Sequence, residues 1–160
     1  MTDIITQGTE LSILYFSLPK ILIATICGAI IGYEREVRRK GAGIRTNILI
    51  CVGATIFTIV SVILAQTSHS DPTRILSTIV TGIGFLGGGV IMRTDDKITG
   101  MTTAAFIWVV SAIGILCGMG ATITPIAMTA GLLVITKIFE QVEKHIREND
   151  IKDKDKPSKN

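Results

Sequence analysis

Apolar and polar positions alternate along this chain in long blocks rather than residue by residue, and the blocks have membrane-crossing lengths. Asn47 to Ala65 is nineteen residues without a charge, Ile75 to Met92 is eighteen, and Ile98 to Thr136 is thirty-nine. An α-helix rises ~1.5 Å per residue, so ~20 apolar residues cross a hydrocarbon core of ~30 Å. The first two blocks each predict one transmembrane helix. The third is nearly twice one crossing and must turn back; Gly118-Met119-Gly120 divides it into spans near Met101 to Cys117 and Ala121 to Thr136.

The first span is harder to delimit. Only thirteen uncharged residues, Ile21 to Tyr33, separate Lys20 from Glu34. A full crossing reaches back over Pro19 and Lys20 toward Leu11, with Pro19 near a helix start or at a kink and Lys20 snorkelling to the interface. The expected fold is therefore all-α and polytopic, with five transmembrane helices. Residues 1–16 read as an interfacial lead-in, 17–136 as the transmembrane domain and 137–160 as a charged tail whose last ten residues lack a folding pattern.

Charge supplies the orientation. Of sixteen Lys and Arg, five lie in the connection Glu34 to Thr46, two in Arg93 to Lys97 and seven from Lys137 onward. Basic connections stay inside, so the N-terminus is expected outside and the C-terminus in the cytoplasm. Asp71 and Pro72 read as N-cap and first residue of the third span. Arg74, in its first turn, opposes the helix dipole and calls for a partner, Asp71 or another segment.

Composition narrows the function. The chain has 160 residues, 48% hydrophobic and 18% charged, with a mean hydropathy of +0.53. The formal net charge of +3 is explained by membrane flanks, which argues against a nucleic-acid partner. The first sixteen residues lack the basic start of a cleavable signal peptide. Cys27, Cys51 and Cys117 sit in apolar stretches and read as small packing residues. No H-E-x-x-H or G-x-S-x-G motif is present, and enzymatic activity is not expected.

Five glycines fall in the third span. Gly82, Gly84 and Gly87 spell G-x-G-x-x-G, but a dinucleotide site needs a preceding strand and a solvated helix start. Two readings remain. Gly84 and Gly88 form a GxxxG pair for close helix packing. Alternatively, Gly87, Gly88 and Gly89 break the helix at membrane depth, where irregular backbone lines a cavity. Ala24, Gly28 and Gly32 give the first span a small-residue face of its own, for packing within the bundle or for self-association.

Taken together, Gly32 to Glu36 (GYERE), Ala42 to Thr46 (AGIRT), Asp71 to Arg74 (DPTR), Gly82 to Gly89 (GIGFLGGG) and Gly100 to Trp108 (GMTTAAFIW) resemble the MgtC/SapB family of bacterial membrane proteins. Gly88 stands where alanine is more usual and Asn47 where histidine is expected. The resemblance implies a five-span module linked to growth under magnesium limitation and, in intracellular pathogens, to virulence. It also implies a membrane-protein partner, the F-type ATP synthase. Longer members carry a soluble C-terminal domain, and this chain reads as the short form.

The expected topology gathers Glu34, Arg35, Glu36, Arg45, Thr46, Arg93, Thr102 and Thr103 in a cytoplasmic vestibule beside Gly87 and Gly89. Gly82, Gly84 and Phe85 belong to the same motif, whereas Asp71 and Arg74 stand ~30 Å away. Glu34 and Glu36 are about 200° apart around a helix and Asp71 is across the bilayer, so no metal cage is expected. Glu34 either pairs with Arg35, Arg38 or Arg39 at a solvated helix end, or turns inward to Arg45 or Arg93. Thr102 and Thr103 suit helix capping or interhelical hydrogen bonds, and Trp108 packing inside the bundle. No cofactor is called for. Two function classes stay open: a regulator acting through membrane partners, or an ion transporter lined at the glycine break.

Overall fold

The computed structural model describes residues 2–68, 71, 73–95 and 97–154, with side chains over 10–65, 71, 73–95 and 97–146. Five helices and one hairpin follow in order. They are α1 (Thr2–Val37), α2 (Ile44–Ser68), α3 (Thr73–Val90), β1 (Met92–Thr94), β2 (Lys97–Thr99), α4 (Met101–Gly118) and α5 (Ile123–Lys154). Each helix contains a stretch long and apolar enough to cross a membrane. The chain divides into two compact units, 1–129 and 130–160; the second holds the greater part of α5.

Helix α2 is the centre of the first unit, packed on α1 and on α4, with α3 lying mainly on α4. Small residues let these backbones approach. A Cβ on Gly28 would stand 2.8 Å from the Asn47 carbonyl oxygen, and one on Gly118 would stand 2.7 Å from that of Thr55. One on Gly114 would collide with the Cys51 carbonyl. The small-residue face expected on the first span is thus engaged inside the bundle, against α2.

Buried hydroxyls tie the same helices together. Thr55 donates to Gly114 O of α4 and shares its proton with Cys51 O one turn back, each at 2.8 Å. The three cysteines are buried, as their apolar surroundings predict. Large apolar side chains such as Leu22, Leu49, Phe57 and Ile126 face outward. That is the arrangement of a protein whose solvent is lipid.

Several expectations change. The lead-in and the first span are one continuous helix, with Pro19 inside it. Helix α3 runs unbroken through Gly87, Gly88 and Gly89 and closes at Val90, where Ile91 N–H bonds Gly88 O (3.1 Å). The glycines end the helix instead of opening it, because α4 supports this end: a Cβ on Gly87 would stand 3.6 Å from Ala104. The 93–97 turn is a two-stranded antiparallel hairpin pairing Met92 with Thr99 and Thr94 with Lys97. Gly100 follows with φ +88°, which points the chain into α4. The expected break at Gly118-Met119-Gly120 is present, with φ +91° at Gly120. Helix α5 runs through Lys154, four residues into the stretch expected to lack structure; 155–160, Pro72 and His69 lie outside the described residues.

Candidate functional site: a buried arginine at the basic end of the bundle

The last turn of α1, the loop 38–43, the first turn of α2 and the start of α4 meet at one end of the bundle. Ala24, Cys27, Gly28 and Ile31 form the buried stripe of α1, and helical spacing places Arg35 next on it. Its side chain is 3% exposed. Nε and Nη2 both donate to Gly41 O (3.1 and 2.8 Å), and Nη2 donates also to Thr103 Oγ1 (2.8 Å). The guanidinium carbon sits 4.3 Å from the centre of the Phe106 ring.

No carboxylate lies within ion-pair distance of Arg35 among the described residues. Its charge is met by a carbonyl dipole, a hydroxyl and a ring face, three softer partners than an acid. One side chain therefore joins three segments: the end of α1, the loop and the start of α4. Gly41 belongs to the arrangement, since a Cβ there would stand 3.1 Å from Thr103 Oγ1.

The two glutamates serve the same connection separately. Glu36 Oε2 accepts the Ile44 N–H (2.9 Å), an orphan donor at the start of α2. Glu34 pairs with Arg38, its i+4 neighbour, at 2.6 Å. This is the helix-end pairing. The loop takes left-handed backbone at Arg39 (φ 53°) and Ala42 (φ 58°). Asn47 holds it from below, its Nδ2 donating to Ala42 O and to Gly43 O (2.9 Å), while its buried Oδ1 has no hydrogen-bond partner.

The remaining motif residues divide. Thr103 is buried in the Arg35 cluster, but Arg45, Thr46, Arg93 and Thr102 are exposed around it. Gly82, Gly84, Gly88 and Gly89 face open space, so the Gly84–Gly88 pair packs on no other helix among the described residues, and Phe85 is 83% exposed. Trp108 is 54% exposed and points away from the bundle, contrary to the packing role expected from its mid-span position. Depth in the bilayer does not fix rotation about the helix axis.

Asp71 and Arg74 stand at the opposite end of α3. The Asp71 carboxylate accepts the Thr73 N–H (2.9 Å) and hydroxyl (2.7 Å), the expected cap. Those bonds, with a weaker pull from the Arg74 charge, hold its pKa below the ordinary carboxylate value. Also at that end, Lys20 Nζ donates to Gly118 O (3.1 Å), a C-terminal carbonyl of α4, and lies 3.5 Å from the Phe16 ring centre. Of the partners, Gly41 and Phe106 were not singled out from sequence, and Gly118 only as a turn residue. The stripe leading to Arg35 was the available signal for its inward turn; the carbonyls carry none. Among the described residues, no three His, Cys, Asp or Glu side chains gather as metal ligands.

The chain is similar in sequence to known proteins. The profile of the MgtC family matches residues 21–145. The chain is 41% identical to the MgtC protein of Salmonella typhimurium over 128 residues, covering 80% of this chain and 54% of that protein. It is 42% identical to YhiD of Escherichia coli K12 over 79% of this chain and 61% of that protein. The Synechocystis protein slr0014 is 48% identical over 65% of this chain and 44% of its own length. The chain thus spans about half the length of these curated relatives. No solved structure matches it. With five membrane-length helices and this profile over most of its length, the chain belongs to the MgtC family of multi-pass bacterial inner-membrane proteins.

Proposed function

We propose that this protein is a non-enzymatic regulator of growth under magnesium limitation, acting through contacts with another inner-membrane protein. One observation carries the reading over a transporter: the buried hydroxyls of the bundle are engaged with backbone rather than lining a path. Thr55 bonds Cys51 and Gly114, Thr58 bonds Ala54 O (2.7 Å), and Thr129 bonds Pro125 O (2.8 Å). A conduction route needs polar groups turned toward a wet lumen.

In this reading the basic end faces the cytoplasm, as its Lys and Arg content favours. The Arg35 cluster keeps that face in one shape, and exposed Arg45, Thr46, Arg93 and Thr102 present it to a partner. The family resemblance nominates the F-type ATP synthase, and a link to virulence travels with it. The transporter reading is supported by the name of Escherichia coli YhiD, provisionally a magnesium transporter.

Two measurements on the same protein separate them. Purified folded protein in proteoliposomes is expected to give no magnesium flux above empty vesicles. The same chain is expected to restore low-magnesium growth to a strain lacking its own MgtC-family protein, and Arg45→Ala to lose that activity while still inserting. Protein-dependent flux would overturn the regulator. Normal growth with Arg45→Ala would remove the basic face from the account.

A further inference from the structure

Between α2 and α3 lies a lateral groove of about 600 Å³, within the roughly 300–1,000 Å³ typical of ligand clefts. Leu49, Gly53 and Phe57 line it from α2, and Ile79, Gly82 and Leu86 from α3. Its one hydroxyl, on Thr78, is engaged with Arg74 O of its own helix (3.0 Å). A guest receives no hydrogen bond there. A hydrocarbon chain needs none, whereas an extended peptide would leave its backbone unsatisfied.

The groove has one charged end. Arg45 and Thr46 precede Leu49 and Ile50 by four residues each, so they continue the two lining rows of α2 one turn toward the basic connection. Both are exposed, and the ion pairs among the described residues do not include Arg45. Helix α3 ends at Val90, one turn past the lining residue Leu86, and exposed Arg93 follows three residues later. An apolar slot leading up to two cations matches an amphiphile with an anionic head.

We propose that this groove binds one anionic phospholipid, an acyl chain between α2 and α3 and its phosphate at Arg45 and Arg93. The assignment gives Gly53 and Gly82 a function: side chains there would occupy the slot. It is independent of the choice between regulator and transporter. Cations at a membrane surface favour anionic headgroups, and each methylene removed from water strengthens binding from bulk detergent solution.

Native mass spectrometry of the full chain, offered phosphatidylglycerol and phosphatidylcholine with identical acyl chains, tests it. Phosphatidylglycerol adducts should dominate. A Cβ at Gly53 or at Gly82 meets nothing within 4 Å, so Gly53→Leu and Gly82→Leu should fold as the parent does, checked by circular dichroism. Each should lower adduct occupancy at least about tenfold. Arg45→Gln should cut the preference for phosphatidylglycerol about fivefold while retaining both lipids. Equal adducts of the two lipids, or parental binding by both leucine variants, would overturn the proposal. So would a dimer lost in Gly53→Leu without any lipid adduct, which would make a second copy the occupant.

Discussion

Arg35 joins three segments through one side chain, and a buried guanidinium without a carboxylate is stable only where its neighbours stay in place. Arg35→Leu leaves Gly41 O without its donor and Thr103 without its partner. We expect a loss of roughly 2–3 kcal/mol, read as a lowered unfolding midpoint in detergent micelles, since hydrogen bonds to charged groups contribute about 1.5–3 kcal/mol. Arg35→Lys should recover only part, an ammonium being unable to reach one carbonyl with two N–H groups and a hydroxyl as well. Asp71 gives a pH signature. Its folded pKa lies below its unfolded value, so its contribution is complete above the ordinary carboxylate range and is lost as pH falls through the lower folded value. Asp71→Asn should flatten the acid limb of the stability curve, measured between neutral pH and pH ~3. Sequence marked both residues, but pointed Arg35 toward the glutamates when its partners are a carbonyl, a hydroxyl and a ring. Backbone carbonyls are the same at every position, so no residue pattern announces them.

Glycines divide by what their helices touch. Gly114 lies against the Cys51 carbonyl of α2, and Gly100 has φ +88° with a Cβ position overlapping Val90 O. Gly114→Ala and Gly100→Ala should each destabilise by about 1–3 kcal/mol, through overpacking and backbone strain respectively. Gly84 and Gly88 lie mid-helix or near its end in α3 with open space around them. Gly84→Ala and Gly88→Ala should stabilise the isolated chain by about 0.5–1 kcal/mol, the helical preference of alanine over glycine. Opposite signs in one melting series would check the assignment. The sequence made the span lengths and the break at Gly118 to Gly120 legible, because charge and glycine punctuate both. It could not distinguish the packed small-residue face of Gly28 and Gly32 from the open one of Gly84 and Gly88, since the spacing is alike and only neighbouring helices differ.

Three helices close around thiols that no water reaches: Cys27 is 1% exposed and Cys51 and Cys117 are 0%. The folded protein should therefore take up no water-soluble maleimide, and three equivalents after unfolding in dodecyl sulfate, counted by mass. Labelling of the folded chain would mean that α1, α2 and α4 do not pack as described. That these cysteines are buried followed from their apolar surroundings, but that they come from the three helices of one core required the fold.

Lys20 and Arg35 have a consequence for the surrounding lipid. They are fifteen residues apart on α1, and their partners Gly118 and Thr103 are fifteen apart on α4, running the other way. Each interval is ~22 Å of helix, against ~30 Å for an average hydrocarbon core. Two antiparallel rods fastened at both ends form a caliper of fixed opening, which sliding or tilting one helix against the other cannot lengthen without breaking a polar bond. The two helices therefore answer strain as one body, and a change in bilayer thickness is taken up by the lipid rather than by their register. Lys20→Leu should open one jaw of the caliper, read as a lowered unfolding temperature in detergent micelles, while the Arg35 end stays closed.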